Sequence, residues 1–229
     1  MPRDVGVLVV AAGVGRRIGG GVLKQYREIA GVPMLLRALR PFVAHPEVKH
    51  VVVALPATHA AAPPEWLGAL AGESLAFVAG GVERHSSVRK ALAALDARCR
   101  VVLVHDAARP FVERATIDAV IAAAREGSAA VAAVPVSDTL KEAGRDGIVR
   151  RTVPREGLWR AQTPQGFPRD LLVRAHEAAG AGADATDDAI LVERLGEPVR
   201  VVADSPVNFK VTTTDDLALA EAWAAAQGR

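Results

Sequence analysis

An apolar run, Val7-Leu8-Val9-Val10, passes into Ala11-Ala12-Gly13-Val14-Gly15-Arg16-Arg17, and Lys24-Gln25 follows a few residues later. The run has the look of a buried parallel strand. Two glycines then let the backbone turn tightly and approach a ligand closely. Backbone N–H groups beside two guanidinium groups and an ammonium make a site for a polyphosphate. A chain built this way expects a nucleoside triphosphate at the end of its first strand.

Two familiar loops are excluded by spacing. A dinucleotide fingerprint needs Gly-x-Gly-x-x-Gly and an acid about twenty positions on. Here Gly13 and Gly15 fill the first two positions, but Ile18 takes the third, and the second strand runs into Pro56-Ala57-Thr58-His59. The P-loop fails as well, because no Gly-Lys-Ser/Thr closes it. A glycine-rich turn can also be only a turn; the two arginines and the lysine argue for more.

Short β-branched runs alternate with Ala/Leu-rich stretches. Strands are expected at Val5–Val10, Val48–Leu55, Leu75–Ala79, Val101–His105 and Ala129–Val134. Helices are expected at Met34–Val43, Glu65–Ala71, Ser87–Ala97 and Thr116–Arg125. This order predicts a mostly parallel α/β sheet with helices on both faces, whose ligands lie beyond the carboxyl ends of the strands. Gly13, Gly80-Gly81 and Asp106 all fall there, so one crevice can gather them. The alternation breaks after Pro135. Residues Ser137 to Arg155 read as a β-hairpin, with Gly144-Arg145-Asp146-Gly147 at its tip. Such a hairpin is marginal alone, and a second subunit is a natural cover for it. A helix at Arg169–Ala179, another opened by Thr186 as N-cap, strands at Val199–Val202 and Asn208–Thr212, and a last helix from Thr214 to Ala226 complete the reading. At 229 residues the whole, 1–229, is expected to be one domain with 137–155 as an arm.

Composition closes off other classes. A net charge of +2 argues against a nucleic-acid surface, and 4% aromatic residues offer no base-stacking platform. The single cysteine, Cys99, excludes an internal disulfide and a cysteine-rich zinc site. No apolar run approaches a membrane span, and with no signal pattern a cytoplasmic protein is the default.

Four further blocks bear on chemistry. In Val104-His105-Asp106-Ala107-Ala108-Arg109-Pro110 an aspartate stands at a strand end and an arginine three residues on. Asp106 can serve a ribose hydroxyl or a magnesium-bound phosphate, or cap the next turn. Gly80-Gly81-Val82-Glu83-Arg84-His85-Ser86-Ser87 can seat a nucleobase, or be an ordinary loop capped by Ser86 or Ser87. Arg155 and Trp159-Arg160-Ala161-Gln162-Thr163-Pro164-Gln165 follow the hairpin. In Asn208-Phe209-Lys210-Val211-Thr212, strand alternation turns Lys210 away from its apolar neighbours, as a solvated residue or an anion clamp.

Taken together and in this order, the motifs resemble the 2-C-methyl-D-erythritol 4-phosphate cytidylyltransferases, from Val7 to the terminal helix. The resemblance implies a Rossmann-like sheet of nucleotidyltransferase type, a dimer arm, and transfer of CMP from CTP to a sugar-alcohol phosphate with Mg2+. It implies nucleotide-binding roles for Ala11, Ala12, Gly13, Gly15, Gly81, Ser87, Asp106 and Ala107. It implies triphosphate and transition-state roles for Arg17 and Lys24, and places Lys210 and Arg155 on the acceptor phosphate. Arg109, Thr139, Thr163 and Thr186 fall around the acceptor, with Thr139 and Arg155 on an arm that reaches a partner's site. Leu23 and Val82 depart from the family pattern, where proline and an acid are frequent. A cytidylyltransferase for another polyol phosphate such as ribitol 5-phosphate, a non-catalytic nucleotide-binding module and a dehydrogenase are the competing readings.

Overall fold

β1 (Val5–Val10) is the centre of the molecule. The computed structural model describes residues 2–13, 21–180 and 185–228. After β1 come a 3-10 turn (Lys24–Tyr26), the short pair β2 (Glu28–Ile29) and β3 (Val32–Pro33), α1 (Met34–Val43) and β4 (Val48–Leu55). Next are α2 (Ala57–Ala61), α3 (Glu65–Gly68), β5 (Leu75–Ala79), α4 (Arg84–Ala93), β6 (Val101–Asp106), α5 (Arg114–Arg125) and β7 (Ala129–Pro135). The arm, β8 (Leu140–Ala143) and β9 (Val149–Val153), precedes β10 (Trp159–Pro168), α6 (Arg169–Ala179), α7 (Ala189–Arg194), β11 (Val199–Ala203) and α8 (Thr214–Ala226).

Seven strands form the main sheet in the order β11-β7-β10-β6-β1-β4-β5. All neighbours are parallel except β10, which runs antiparallel between β6 and β7. Period-two alternation splits the buried residues between two faces. Val5, Val7 and Val9 pack with Leu35 and Phe42 of α1 and Ile117 and Ile121 of α5. Leu8 faces the other way, toward Val88 and Leu92 of α4 and Leu171 and Leu172 of α6. A third cluster, with Met34, Phe111 and Val211, lies under α8, which Thr213 and Asp216 open with a reciprocal capping box.

From β1 the chain first builds outward through β4 and β5, then returns to place β6 on the other side of β1. The loops leaving β1 and β6 therefore diverge, and a crevice opens between them. Val10 pairs with Asp106 at its floor.

Several expected elements are shifted or replaced. α4 begins at Arg84 with Glu83 at its N-cap, so Ser86 and Ser87 lie inside the helix rather than capping it. α7 begins at Ala189 after Asp188, and Thr186 is not its cap; the Asp187 carboxylate instead accepts from the Ile190 N–H at 3.1 Å. Residues 208–212 form no strand. Asn208 is fully buried and spends its side-chain amide on Thr163 O and Asp204, and Val211 N–H reaches Ala108 O at 2.8 Å. These anchors fix an irregular segment that needs no ladder, so alternation does not decide where Lys210 faces. β10, with two prolines and a glycine, has no strand signal in its sequence. Its ladder breaks between Ala161 and Gln165, around Pro164, which accommodates a residue that cannot donate. α2 is an added turn of helix after Pro56.

Candidate active site

Two clefts meet at the carboxyl end of the sheet. The first, about 350 Å³, is lined by Ala11, Ala12 and Gly13 after β1, Lys24 and Gln25, the 81–84 loop and Ser87, and Asp106 to Ala108 after β6. The second, about 230 Å³, is lined by Arg109, Gln162, Thr163, Thr186 and Asp187. Arg84, Asp106 and Lys210 line both.

The side chains at this junction are tightly paired. Asp106 Oδ1 accepts from Arg84 Nε at 3.2 Å, and Oδ2 lies 2.7 Å from Lys210 Nζ. Arg84 reaches back to Asp188 Oδ2 at 2.5 Å, and Asp188 Oδ1 lies 3.1 Å from His176 Nε2. Asp188 is wholly buried, and its N–H donates to Gln165 Oε1 on β10 at 3.0 Å. Burial pushes the Asp106 carboxyl up, but Arg84 and Lys210 outweigh it and hold the group well below the usual carboxylate range. Burial likewise works against the charge on Arg84, yet Asp188 and Asp106 keep it more firmly protonated than usual.

The floor is a neutral network. The Thr163 hydroxyl accepts from the Asp106 N–H at 3.0 Å and donates to His105 Nδ1 at 3.0 Å. His105 Nε2 is then left to donate to the Arg109 carbonyl at 3.0 Å. Burial holds His105 down to about 4, so it stays uncharged and structural. Arg109 spends Nη1 on Asn208 O at 2.8 Å, which ties the second cleft to the 208–211 segment.

Lys24 arrives on the 3-10 turn. Buried Gln25 donates to Ala11 O at 2.8 Å and locks that turn to the end of β1, while Lys24 Nζ donates to Val211 O at 3.1 Å. Behind them Tyr26 packs edge-on against His59 and Trp66. Ser87 shapes the loop it was expected to read from. Its hydroxyl accepts from Gly81 N–H at 3.0 Å and donates to Glu83 O at 3.2 Å. Val82 stands fully exposed at the lip.

The structure thus gathers Ala11, Ala12, Gly13, Lys24, Gly81, Ser87, Asp106 and Ala107 in one cleft, Arg109, Thr163 and Thr186 in the other, and Lys210 between them. Gly15 and Arg17 lie outside the described residues. Thr139 and Arg155 are exposed on the arm and line neither cleft; Arg155 donates within the arm, to Ser137 O. Sequence reasoning quoted Arg84, Gln25 and Gln165 within motifs but gave them no role. Arg84's signal was its place at the helix start three residues past Gly81; its link to Asp188, 104 positions on, had none. Among the described residues no group of three or more metal-ligating side chains comes together. The lone cysteine, Cys99, is buried, and burial pushes its thiol up to about 11, so it packs rather than reacts.

Residues 5–225 match the family model for 2-C-methyl-D-erythritol 4-phosphate cytidylyltransferase. The chain is similar to proteins of that description from Symbiobacterium thermophilum, 46% identical across 95% of this chain and 91% of that one, and from Salinibacter ruber, 48% identical across 94% and 91%. It also resembles the crystal structure of 2-C-methyl-D-erythritol 4-phosphate cytidylyltransferase from Thermus thermophilus, with a TM-score of 0.81 and 40% identity over 97% of this chain and 99% of that one.

Proposed function

The chain belongs to the 2-C-methyl-D-erythritol 4-phosphate cytidylyltransferase family, and from that membership we propose how its two clefts divide the reaction. It is a nucleotidyltransferase of isoprenoid precursor biosynthesis. It moves CMP from CTP to 2-C-methyl-D-erythritol 4-phosphate, giving 4-diphosphocytidyl-2-C-methyl-D-erythritol and pyrophosphate. The division is carried by one observation, that Arg84, Asp106 and Lys210 line both clefts. CTP occupies the first cleft, its phosphates over the Ala11–Gly13 backbone and Lys24, its base toward Gly81 and the loop braced by Ser87. The acceptor phosphate occupies the second, among Arg109, Thr163 and Thr186. The reacting atoms then meet where the clefts join.

An oxygen of the acceptor phosphate attacks the α-phosphorus in line, and pyrophosphate leaves from the opposite side. The attacking oxygen is already anionic, so no general base or covalent nucleophile is needed. The protein contributes position and positive charge. Lys24, with Arg17, takes the charge growing on pyrophosphate and the transition state. Lys210 turns from Asp106 to the acceptor phosphate and holds it in line.

Magnesium is proposed as the companion of CTP. Such an ion is commonly held by one or two carboxylates together with substrate phosphates, so Asp106 would suffice to hold it; among the described residues no cluster of three metal-ligating side chains forms. When bound, it neutralises charge on the phosphates.

The arm is proposed to serve a second subunit. Ile148, Val149, Leu158 and Trp159 stand exposed along the arm and its base, an apolar surface suited to a partner. Thr139 and Arg155, which line neither cleft of their own chain, would complete the partner's acceptor site. The proposed compartment is the cytoplasm; no helix among the described residues is long and apolar enough to cross a membrane.

Pyrophosphate release with CTP against a panel of polyol phosphates tests the substrate. Methylerythritol phosphate should lead; a preference for ribitol 5-phosphate would overturn the acceptor assignment, and no release with any acceptor would overturn the reaction.

A further inference from the structure

We infer that Arg84 is a positioning residue for this reaction: braced from behind by Asp188, it holds the Asp106 carboxylate in place while Lys210 exchanges Asp106 for the acceptor phosphate. The inference rests on the reaction proposed above and adds a residue to it.

The two cations on Asp106 are not equivalent. Lys210 comes from a segment without regular structure, its side chain is 41% exposed, and it reaches Oδ2 at 2.7 Å. A flexible ammonium on such a segment can leave for a better anion. Arg84 comes from the first turn of α4, beside Oδ1, and its planar fork also holds Asp188, whose side chain is fully buried. Asp188 in turn meets His176 of α6, and its backbone is fastened to Gln165 of β10. The chain of contacts Asp106–Arg84–Asp188–His176 thus runs from the junction of the clefts to the helix layer behind it.

Charge counting gives the same assignment. Arg84 and Lys210 balance Asp106 and Asp188 in the ligand-free chain. When Lys210 turns to a phosphate, one negative charge is uncovered at Asp106 Oδ2, beside incoming anions. Without Arg84 the carboxylate would lose its hydrogen bond at Oδ1 and keep only the charge of Arg109, which makes no ion pair with it. With it, Oδ1 stays pinned, the Asp106 N–H stays on Thr163, and Oδ2 alone faces the ligand. Arg84 is also the residue a lysine cannot replace, since one ammonium does not span two carboxylates on different elements.

The test uses the whole chain, CTP and 2-C-methyl-D-erythritol 4-phosphate, with pyrophosphate release as readout. Wild type is assayed first; failure there overturns the reaction and is seen before any variant is made. Arg84→Ala should lower kcat about a hundredfold, the scale of a small misplacement of reacting groups. The KM for the acceptor should stay within about threefold, because Lys210, Arg109 and Thr163 remain. Guanidinium chloride at low millimolar concentration should restore kcat in a saturable way, and urea at the same concentration should not. Arg84→Lys should stay impaired. Should Arg84→Ala fail to fold, the pair Arg84→Gln with Asp188→Asn removes both charges together and is judged by the same kcat and KM criteria. A folded variant with kcat within twofold of wild type overturns the inference. So does a loss of kcat in Arg84→Ala that guanidinium leaves untouched, since a general structural defect has no reason to respond to that one ion.

Discussion

Lys24 and Gln25 are adjacent yet do different work. Gln25 is buried and spends its amide on the Ala11 carbonyl, which fixes the turn. Lys24 is thereby carried to the mouth of the first cleft, where it donates to the Val211 carbonyl in the ligand-free chain and a phosphate would be a stronger acceptor. Lys24→Ala should fold normally and lose about 3 kcal/mol of transition-state stabilisation, roughly a hundredfold in kcat. Steady-state pyrophosphate release checks this, and near-normal turnover would remove Lys24 from the mechanism. His105 gives a prediction without substrate. An unfolded imidazole protonates near 6.5, whereas burial holds His105 down to about 4. Between these values the unfolded chain binds a proton that the folded one refuses. Stability of the ligand-free protein should therefore fall as pH drops from 6.5 toward 4, by up to about 3 kcal/mol from this residue. Urea unfolding across that range measures the slope, and His105→Gln should flatten it; an unchanged slope would assign it elsewhere.

The loops after β1 and β5 show how small residues let two elements approach closely at one side of the first cleft. At Gly80 a Cβ would stand 2.2 Å from the Ala12 Cβ and 2.9 Å from Ser87 Oγ, so the two loops touch only because that side chain is absent. At Gly13 a Cβ would meet nothing within 4 Å among the described residues. Gly80→Ala should therefore cost about 1–3 kcal/mol of stability through overpacking and also weaken CTP binding. Gly13→Ala should melt like wild type yet bind CTP more weakly, because its methyl stands where a phosphate approaches the backbone. Calorimetry with CTP beside thermal melts separates the two. Unchanged CTP affinity in Gly13→Ala would mean that the triphosphate does not lie there.

Across the whole molecule, the sheet sets where ligands can gather, and the arm is the part proposed to bring a second chain to the site. The divergence of the chain on either side of β1 opens one crevice, and among the described residues Lys24, Arg84, Arg109 and Lys210 reach it from loops or helix starts at that end. Arg155 is the exception, exposed on the arm and turned back on Ser137. If the arm serves a partner, Arg155→Ala and Lys24→Ala homodimers should each be nearly inactive. Co-refolded in equal amounts, they should give about half heterodimers, each with one intact site, and recover roughly a quarter of wild-type activity. No recovery, with heterodimers confirmed by mass, would place Arg155 in its own chain's chemistry or outside it.

The sequence by itself determined the elements with strong local signals. Apolar runs and their punctuation located β1, β4 and β5 to the residue, as they did α1, α6 and α8, because period and breaker residues act within a few positions. The motifs at strand ends located most of the cleft lining for the same reason: a parallel sheet puts those ends on one edge. What tertiary structure decided is what depends on distant partners. β10 carries two prolines and polar residues and is a strand only because β6 and β7 flank it. The 208–212 segment alternates like a strand but is held by Thr163, Asp204 and Ala108 instead. Arg84 gained its place at the junction from Asp188, a residue in another part of the chain, buried by a strand and a helix that no local pattern connects to it. Local spacing encodes periodicity and turns; burial of a charge against its counter-charge is a property of the packed chain.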